Sequence, residues 1–249
     1  MDELQLVTPS GSIRTLLAVP DGTGPWPGVV VLHDAGGLGL DTAQQAEWLA
    51  GEGFLAVAPD LFHGKNPIRC MISLTREISR RSGASFDDIE AARRLLVARE
   101  DCTGRVAVIG FCMGGGFALL MALDRGFDAS SVNYATVSLG SITDEELASA
   151  CPIVASYGRK DRGNRESAAT LSALLERHHI AHDVKEYPSA GHGFMNDHEG
   201  AGDRIPPVFR FLSWATGTKF DAEATADARA RIVEFFDDQL RGDAPGSSA

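Results

Sequence analysis

What most constrains this chain is a pair of unbroken apolar runs, GVVVLH at 28–33 and RVAVIG at 105–110. A strand that is apolar on both faces has to be covered on both, as the central strands of a parallel sheet are when helices pack above and below. The rest of the chain supplies those helices. Thr42 to Gly51 (with Ala46, Leu49 and Ala50 at helical spacing), Phe86 to Arg99, Gly114 to Leu123, Glu166 to Arg177 and Ala222 to Leu240 read as helix. Further strands read at Phe54 to Val57, stopped by Pro59-Asp60, and at Val132 to Leu139, Pro152 to Tyr157 and His182 to Tyr187. Val7 to Val19 reads as a strand pair turning at Pro9-Ser10-Gly11. This alternation predicts an α/β fold, a mostly parallel central sheet with helices on both faces and ligands bound beyond the carboxyl ends of the strands. Residues 1–241 read as one such domain, and 242–249 as a tail too small and polar to pack. The longest break in the rhythm, Phe62 to Ser85, carries Met71, Leu74 and Ile78 on one helical face and is expected to be partly helical and to wall a pocket.

Charge narrows the partners. With 34 acidic against 23 basic side chains, the formal net charge of −11 repels phosphate backbones and leaves no basic stripe, so nucleic acid is not expected as a partner. The opening residues Met1-Asp2-Glu3-Leu4-Gln5 carry acid where a signal peptide needs base, and no apolar run approaches membrane-spanning length. The expected location is the cytoplasm, away from membranes. Cys70, Cys102, Cys112 and Cys151 form no C-x-x-C pair, which argues against both a zinc site and a disulfide scaffold and fits a reducing compartment.

The segment Gly110-Phe111-Cys112-Met113-Gly114 directly follows a buried strand and opens a helix, the context of a nucleophile elbow with cysteine in the place where serine is commoner. Small residues allow the sharp turn, and Gly115 and Gly116 leave room around the sulfur. The partial positive charge of a helix N-terminus favours a negative sulfur, ready to attack a carbonyl carbon. The pattern alone is weak in a chain with 27 glycines, and a random free cysteine is usually a small buried apolar residue; the strand, elbow and helix context reverses those odds.

An acid and a histidine follow in the order such a nucleophile requires. Asp161 lies in Gly158-Arg159-Lys160-Asp161 after one strand, and His192 in Ala190-Gly191-His192-Gly193-Phe194 after the next. The acid would hold the imidazole in one tautomer while the other ring nitrogen exchanges a proton with the thiol. Asp144 is an alternative acid, more cheaply explained by capping of a short helix. Among seven histidines only His192 has this setting; His178, His179 and His182 cluster near a helix end, and His63 and His198 lie on loops without metal-ligand spacing. Met113 N–H is expected as one oxyanion donor and a backbone N–H of His33-Asp34-Ala35-Gly36-Gly37 as the second, assigned to Ala35 with Asp34 and Gly36 as alternatives.

Taken together, His33-Asp34, Ala58-Pro59-Asp60-Leu61-Phe62, the cysteine elbow with Gly115, Gly158 to Asp161 and Ala190 to Phe194 resemble the dienelactone hydrolase family over nearly the whole chain, to about Trp214. The resemblance implies an α/β-hydrolase fold, a Cys-His-Asp triad, hydrolysis of a small-molecule ester or lactone, and no metal or organic cofactor. It also implies a carboxylate near the resting thiol, which Asp34 supplies one methylene short of the family's glutamate. Phe62, Lys65 and Phe194 fall where substrate contacts are expected. Two arginines that bind a substrate carboxylate in the best-known members have no counterpart in Phe62-His63-Gly64-Lys65 or His192-Gly193-Phe194-Met195-Asn196, which implies a preference for substrates without that carboxylate. Two other readings share the fold: a binding module that has lost turnover, and a redox-responsive thiol protein.

Overall fold

The computed structural model describes residues 1–203 and 219–242. Its centre is an eight-stranded sheet in the order β1-β2-β4-β3-β5-β6-β7-β8. The strands are β1 Asp2–Thr8, β2 Gly11–Ala18, β3 Trp26–Leu32, β4 Leu55–Pro59, β5 Cys102–Phe111, β6 Ala129–Asn133, β7 Ile153–Gly158 and β8 His182–Tyr187. The β1–β2 and β2–β4 pairs are antiparallel and all the others parallel. Among the described residues the helices are α1 Leu40–Gly51, α2 Pro67–Arg80, α3 Ala84–Val97, α4 Met113–Ala122, α5 Asp144–Leu147, α6 Ser167–Arg177, α7 His198–Ala201 and α8 Ala222–Leu240.

The two apolar runs do what their pattern dictates. Successive side chains of a strand point to opposite faces, so Val30, Leu32, Val106 and Val108 join one core with α3, α4 and α6. Val29, Val31, Ala107 and Ile109 join a second core with α1 and α8. Every one of these eight side chains is fully buried. Burial of this kind stabilises by about 25 cal/mol per Å² of apolar surface, which is why the central strands tolerate no polar alternation.

Two expectations shift, and a third holds. The N-terminal hairpin starts earlier than the apolar pattern suggests, because β1 is an edge strand whose outward residues face water. The strand expected at Val132 to Leu139 is Ala129–Asn133 instead. Its buried Ser130 looks like loop chemistry, but its hydroxyl donates to the Ala118 carbonyl at 2.9 Å; Tyr134, at φ 38°, then turns the chain off the sheet. The segment after Phe62 is helical as expected, as α2, capped by the Asn66 side chain with Pro67 in its first turn. The polar tail expected at 242–249 lies, from 243 on, outside the described residues.

Candidate active site

The elbow forms where β5 hands over to α4. Cys112 has φ 54° and ψ −111°, a conformation that costs a non-glycine residue about 1–3 kcal/mol and persists only when its surroundings enforce it. The enforcement is visible: Cys112 N–H donates to the Asn133 carbonyl at 3.1 Å, and its own carbonyl accepts from Gly116 at 3.1 Å and Thr136 at 3.3 Å. Glycine is required around it. A Cβ at Gly110 would overlap the Gly114 carbonyl, and one at Gly114 would overlap the Leu32 carbonyl. Gly114→Ala is therefore expected to destabilise the fold by roughly 2–4 kcal/mol, at the upper end of what a point change usually costs. Chemical denaturation would check it, and a midpoint equal to that of the wild type would contradict the packing described.

His192 and Asp161 reach the elbow from the loops after β8 and β7. His192 Nε2 lies 3.0 Å from Cys112 Sγ, and its Nδ1 lies 2.6 Å from Asp161 Oδ2. Asp161 is buried and further fixed by Asn164 Nδ2 at 2.8 Å and the Gly163 N–H at 3.0 Å. Burial would raise its carboxyl, but the hydrogen bonds from His192, Asn164 and Gly163 and the His192 charge hold it below the usual range. For His192 burial works against the cation, yet the hydrogen bonds and charges of Asp161 and Cys112 outweigh it and lift the imidazole to about 10. The imidazole ring also packs edge-on to Tyr134 at 5.4 Å. Tyr134 is anchored in turn, its hydroxyl donating to Asn196 Oδ1 at 2.5 Å, while Asn196 Nδ2 donates to the buried Asp41 at 2.6 Å. Tyr134 and Asn196, which steady the histidine loop, carried no sequence signal, since their partners lie on other elements.

The expected oxyanion donors are available. Met113 opens α4, where the first N–H groups have no partner within the helix. In the loop after β3, Gly36 N–H is taken by Asp34 Oδ1 at 2.7 Å and Gly37 N–H by the Asp34 carbonyl at 3.2 Å. Neither Ala35 N–H nor Met113 N–H makes a hydrogen bond among the described residues. Of the three donors left open by the sequence, the geometry thus disfavours Gly36.

Other assignments change. Both carboxylate oxygens of Asp34 are engaged, Oδ1 by Gly36 N–H at 2.7 Å and Oδ2 at 2.8 Å from His198 Nε2, and no hydrogen bond joins it to Cys112 among the described residues. Phe194 is fully buried, edge-on to Tyr134 at 5.5 Å, and its ring fills the core instead of facing a substrate. Phe62 and Lys65 do border open space, a cavity of about 280 Å³ lined also by Gly36, Gly37, Asp60 and His198. Asp144 is remote from the histidine that would need it, bound instead to His178 at 2.9 Å. Arg81 is engaged with Glu146 and the Ser141 carbonyl, and Arg69, Arg76 and Arg80 are exposed on α2.

Sheet order, elbow and loop placement define an α/β-hydrolase fold, and solved structures bear that out. The chain superposes with a TM-score of 0.79 on a dienelactone hydrolase-like promiscuous phosphotriesterase from metagenomic libraries, at 21% identity over 96% of this chain and 98% of that one. It superposes at 0.64 on a dienelactone hydrolase from Anabaena variabilis, 17% identical over 96% and 98% of the two chains. Within that class, the sequence model of the Dienelactone hydrolase family matches residues 13–240, and the chain belongs to this family. Carboxymethylenebutenolidase 1 of Cupriavidus pinatubonensis is 28% identical over 220 residues, 84% of each chain. No helix among the described residues is long and apolar enough to cross a membrane.

Proposed function

We propose that this chain hydrolyses a carboxylic ester or lactone through an acyl-cysteine intermediate on Cys112. The observation that carries the reading is the continuous line from Cys112 Sγ to His192 Nε2 at 3.0 Å and from His192 Nδ1 to Asp161 Oδ2 at 2.6 Å. The thiol proton passes to Nε2, the sulfur attacks the carbonyl carbon, and the oxyanion accepts from Met113 and Ala35 N–H. The imidazolium returns the proton to the leaving oxygen as the C–O bond breaks; in a lactone that oxygen stays tethered to the acyl group. Water then adds to the thioester, its proton going to His192, and collapse of the second tetrahedral intermediate expels the sulfur and releases the acid. Family membership supports the substrate class. A mass increase on Cys112 equal to the acyl group during turnover of p-nitrophenyl acetate would test it; turnover with label elsewhere would overturn it.

Specificity follows from charge. Recognition of a carboxylate in a partly dry pocket calls for a forked cation, and the arginines of α2 are exposed or, as Arg81, already paired. Lys65 borders the cavity as a point charge opposite Asp60 and Asp203. An uncharged lactone is therefore expected to exceed dienelactone in kcat/KM by about tenfold or more, a missing buried charge partner costing roughly 2–5 kcal/mol. Competition between the two substrates measures it. Preference for dienelactone would assign carboxylate binding to a residue such as Lys65.

A further inference from the structure

His198 closes the cavity beside the oxyanion loop and has no part in the proton transfers above. Its imidazole lies between two carboxylates, Nε2 at 2.8 Å from Asp34 Oδ2 and Nδ1 at 2.9 Å from Asp203 Oδ2. Both ring nitrogens face pure acceptors, so both donate, and only the imidazolium does that. Burial opposes the cation, but Asp34, Asp203 and the nearby Asp41 raise it to about 10. Burial would likewise raise Asp34, and the hydrogen bond and charge of His198, with the Gly36 N–H, hold it below the usual carboxylate range. The remaining titratable neighbour on the loop, His33, is depressed by its burial.

Each carboxylate is committed on its far side. Asp34 gathers the loop around itself: its Oδ1 accepts from Gly36 N–H, and its carbonyl accepts from Gly37 N–H and lies 2.8 Å from His33 Nδ1. Ala35, inside that wrap, keeps an N–H without a hydrogen bond among the described residues. Asp203 caps α1, accepting from Leu40 N–H at 2.6 Å and Asp41 N–H at 3.1 Å, where the helix's own N-cap, Gly39, has no side chain to offer. His198 therefore fastens the loop to the start of a helix. It sits directly against the loop, since a methyl group at Gly36 would stand 2.7 Å from His198 Cε1.

We propose that His198 is a positioning residue of the oxyanion hole, its imidazolium holding Asp34 so that the wound loop presents Ala35 N–H to the reacting carbonyl. The inference rests on the hydrolase reading of the site. Its catalytic effect runs through Asp34, without contact with substrate. A displaced donor is felt more in the transition state than in substrate binding, so the loss belongs in kcat.

His198→Ala is expected to lower kcat for p-nitrophenyl acetate by roughly 10–100-fold, within the range for a lost oxyanion donor, with KM changed by less than about threefold. Alkylation of Cys112 by iodoacetamide, which displaces iodide and develops no oxyanion, should stay within about twofold of wild type. That readout separates loop positioning from general loosening of the site. Asp34→Ala should lower kcat by a similar factor, and the double variant should be no slower than the worse single one, because both remove the same link. His198→Gln, which keeps one donor, should fall between, and it carries the comparison if His198→Ala does not fold. Amide exchange of residues 34–39 should quicken in the His198 variants, a readout independent of turnover. Unchanged kcat in an active enzyme, alkylation falling in step with kcat, or losses that multiply in the double variant would each overturn the clamp. A wild-type chain that turns over no ester overturns the hydrolase reading first, and the oxyanion role with it, even where loop exchange still depends on His198.

Discussion

Replacing Cys112 by alanine is expected to lower ester turnover by at least about 10⁴-fold, the scale seen when a covalent nucleophile is removed from a site whose parts act as a unit. The oxyanion donors proposed above and the cavity beside Phe62 and Lys65 remain, so the residue of activity is what they alone supply. The fold should survive. Alanine occupies the same backbone conformation with a smaller side chain, and the elbow is enforced by hydrogen bonds of the main chain to Asn133, Gly116 and Thr136, which the change leaves alone. Steady-state kinetics beside a thermal melt checks both halves. An active, folded Cys112→Ala chain would remove the acyl-cysteine reading altogether.

Asp161→Asn should cost roughly 10²–10⁴-fold in kcat/KM and also change the shape of the pH profile. The amide places an N–H donor against His192 Nδ1, which leaves the ring proton on Nε2, facing the sulfur it ought to relieve of one. The sign on the alkaline side follows from the raised imidazole. In the wild type the cation persists until pH rises through about 10, so the alkaline limb of kcat/KM, where the leaving oxygen loses its proton donor, belongs there. Without the carboxylate that limb moves to lower pH. A pH series on wild type and variant decides it, and an alkaline limb that stays in place would mean that Asp161 does not charge the imidazole.

The parts legible in the sequence are those written locally. The apolar runs of β3 and β5 announce a doubly covered sheet, and the elbow, acid and histidine announce themselves by what immediately precedes each. β6 hid because Ser130 is satisfied by a helix carbonyl and Ser131 by the Asn133 amide, which no local pattern reveals, and the apolar residues after Tyr134 imitate a strand continuing. Phe194 misled because standing two positions after His192 says nothing about which way a side chain faces. The bond between Asp34 and His198 spans 164 positions, and nothing near either residue points to the other. Sequence reading finds residues that act through their own neighbours in the chain, and misses those that act through neighbours in space.

Cys112 hangs from β5, near the middle of the sheet, whereas Asp161 and His192 hang from β7 and β8, the last strands in the chain among the described residues and the outermost on their side. A single domain folds as a unit, so the elbow and the two side chains that meet it come together only when the outer strands have packed onto the sheet. Docking of the final βαβ unit delivers both partners together. A substitution that loosens this outer unit would therefore part Cys112 from Asp161 and His192 at once, while the elbow stays held by the main chain of Asn133, Gly116 and Thr136.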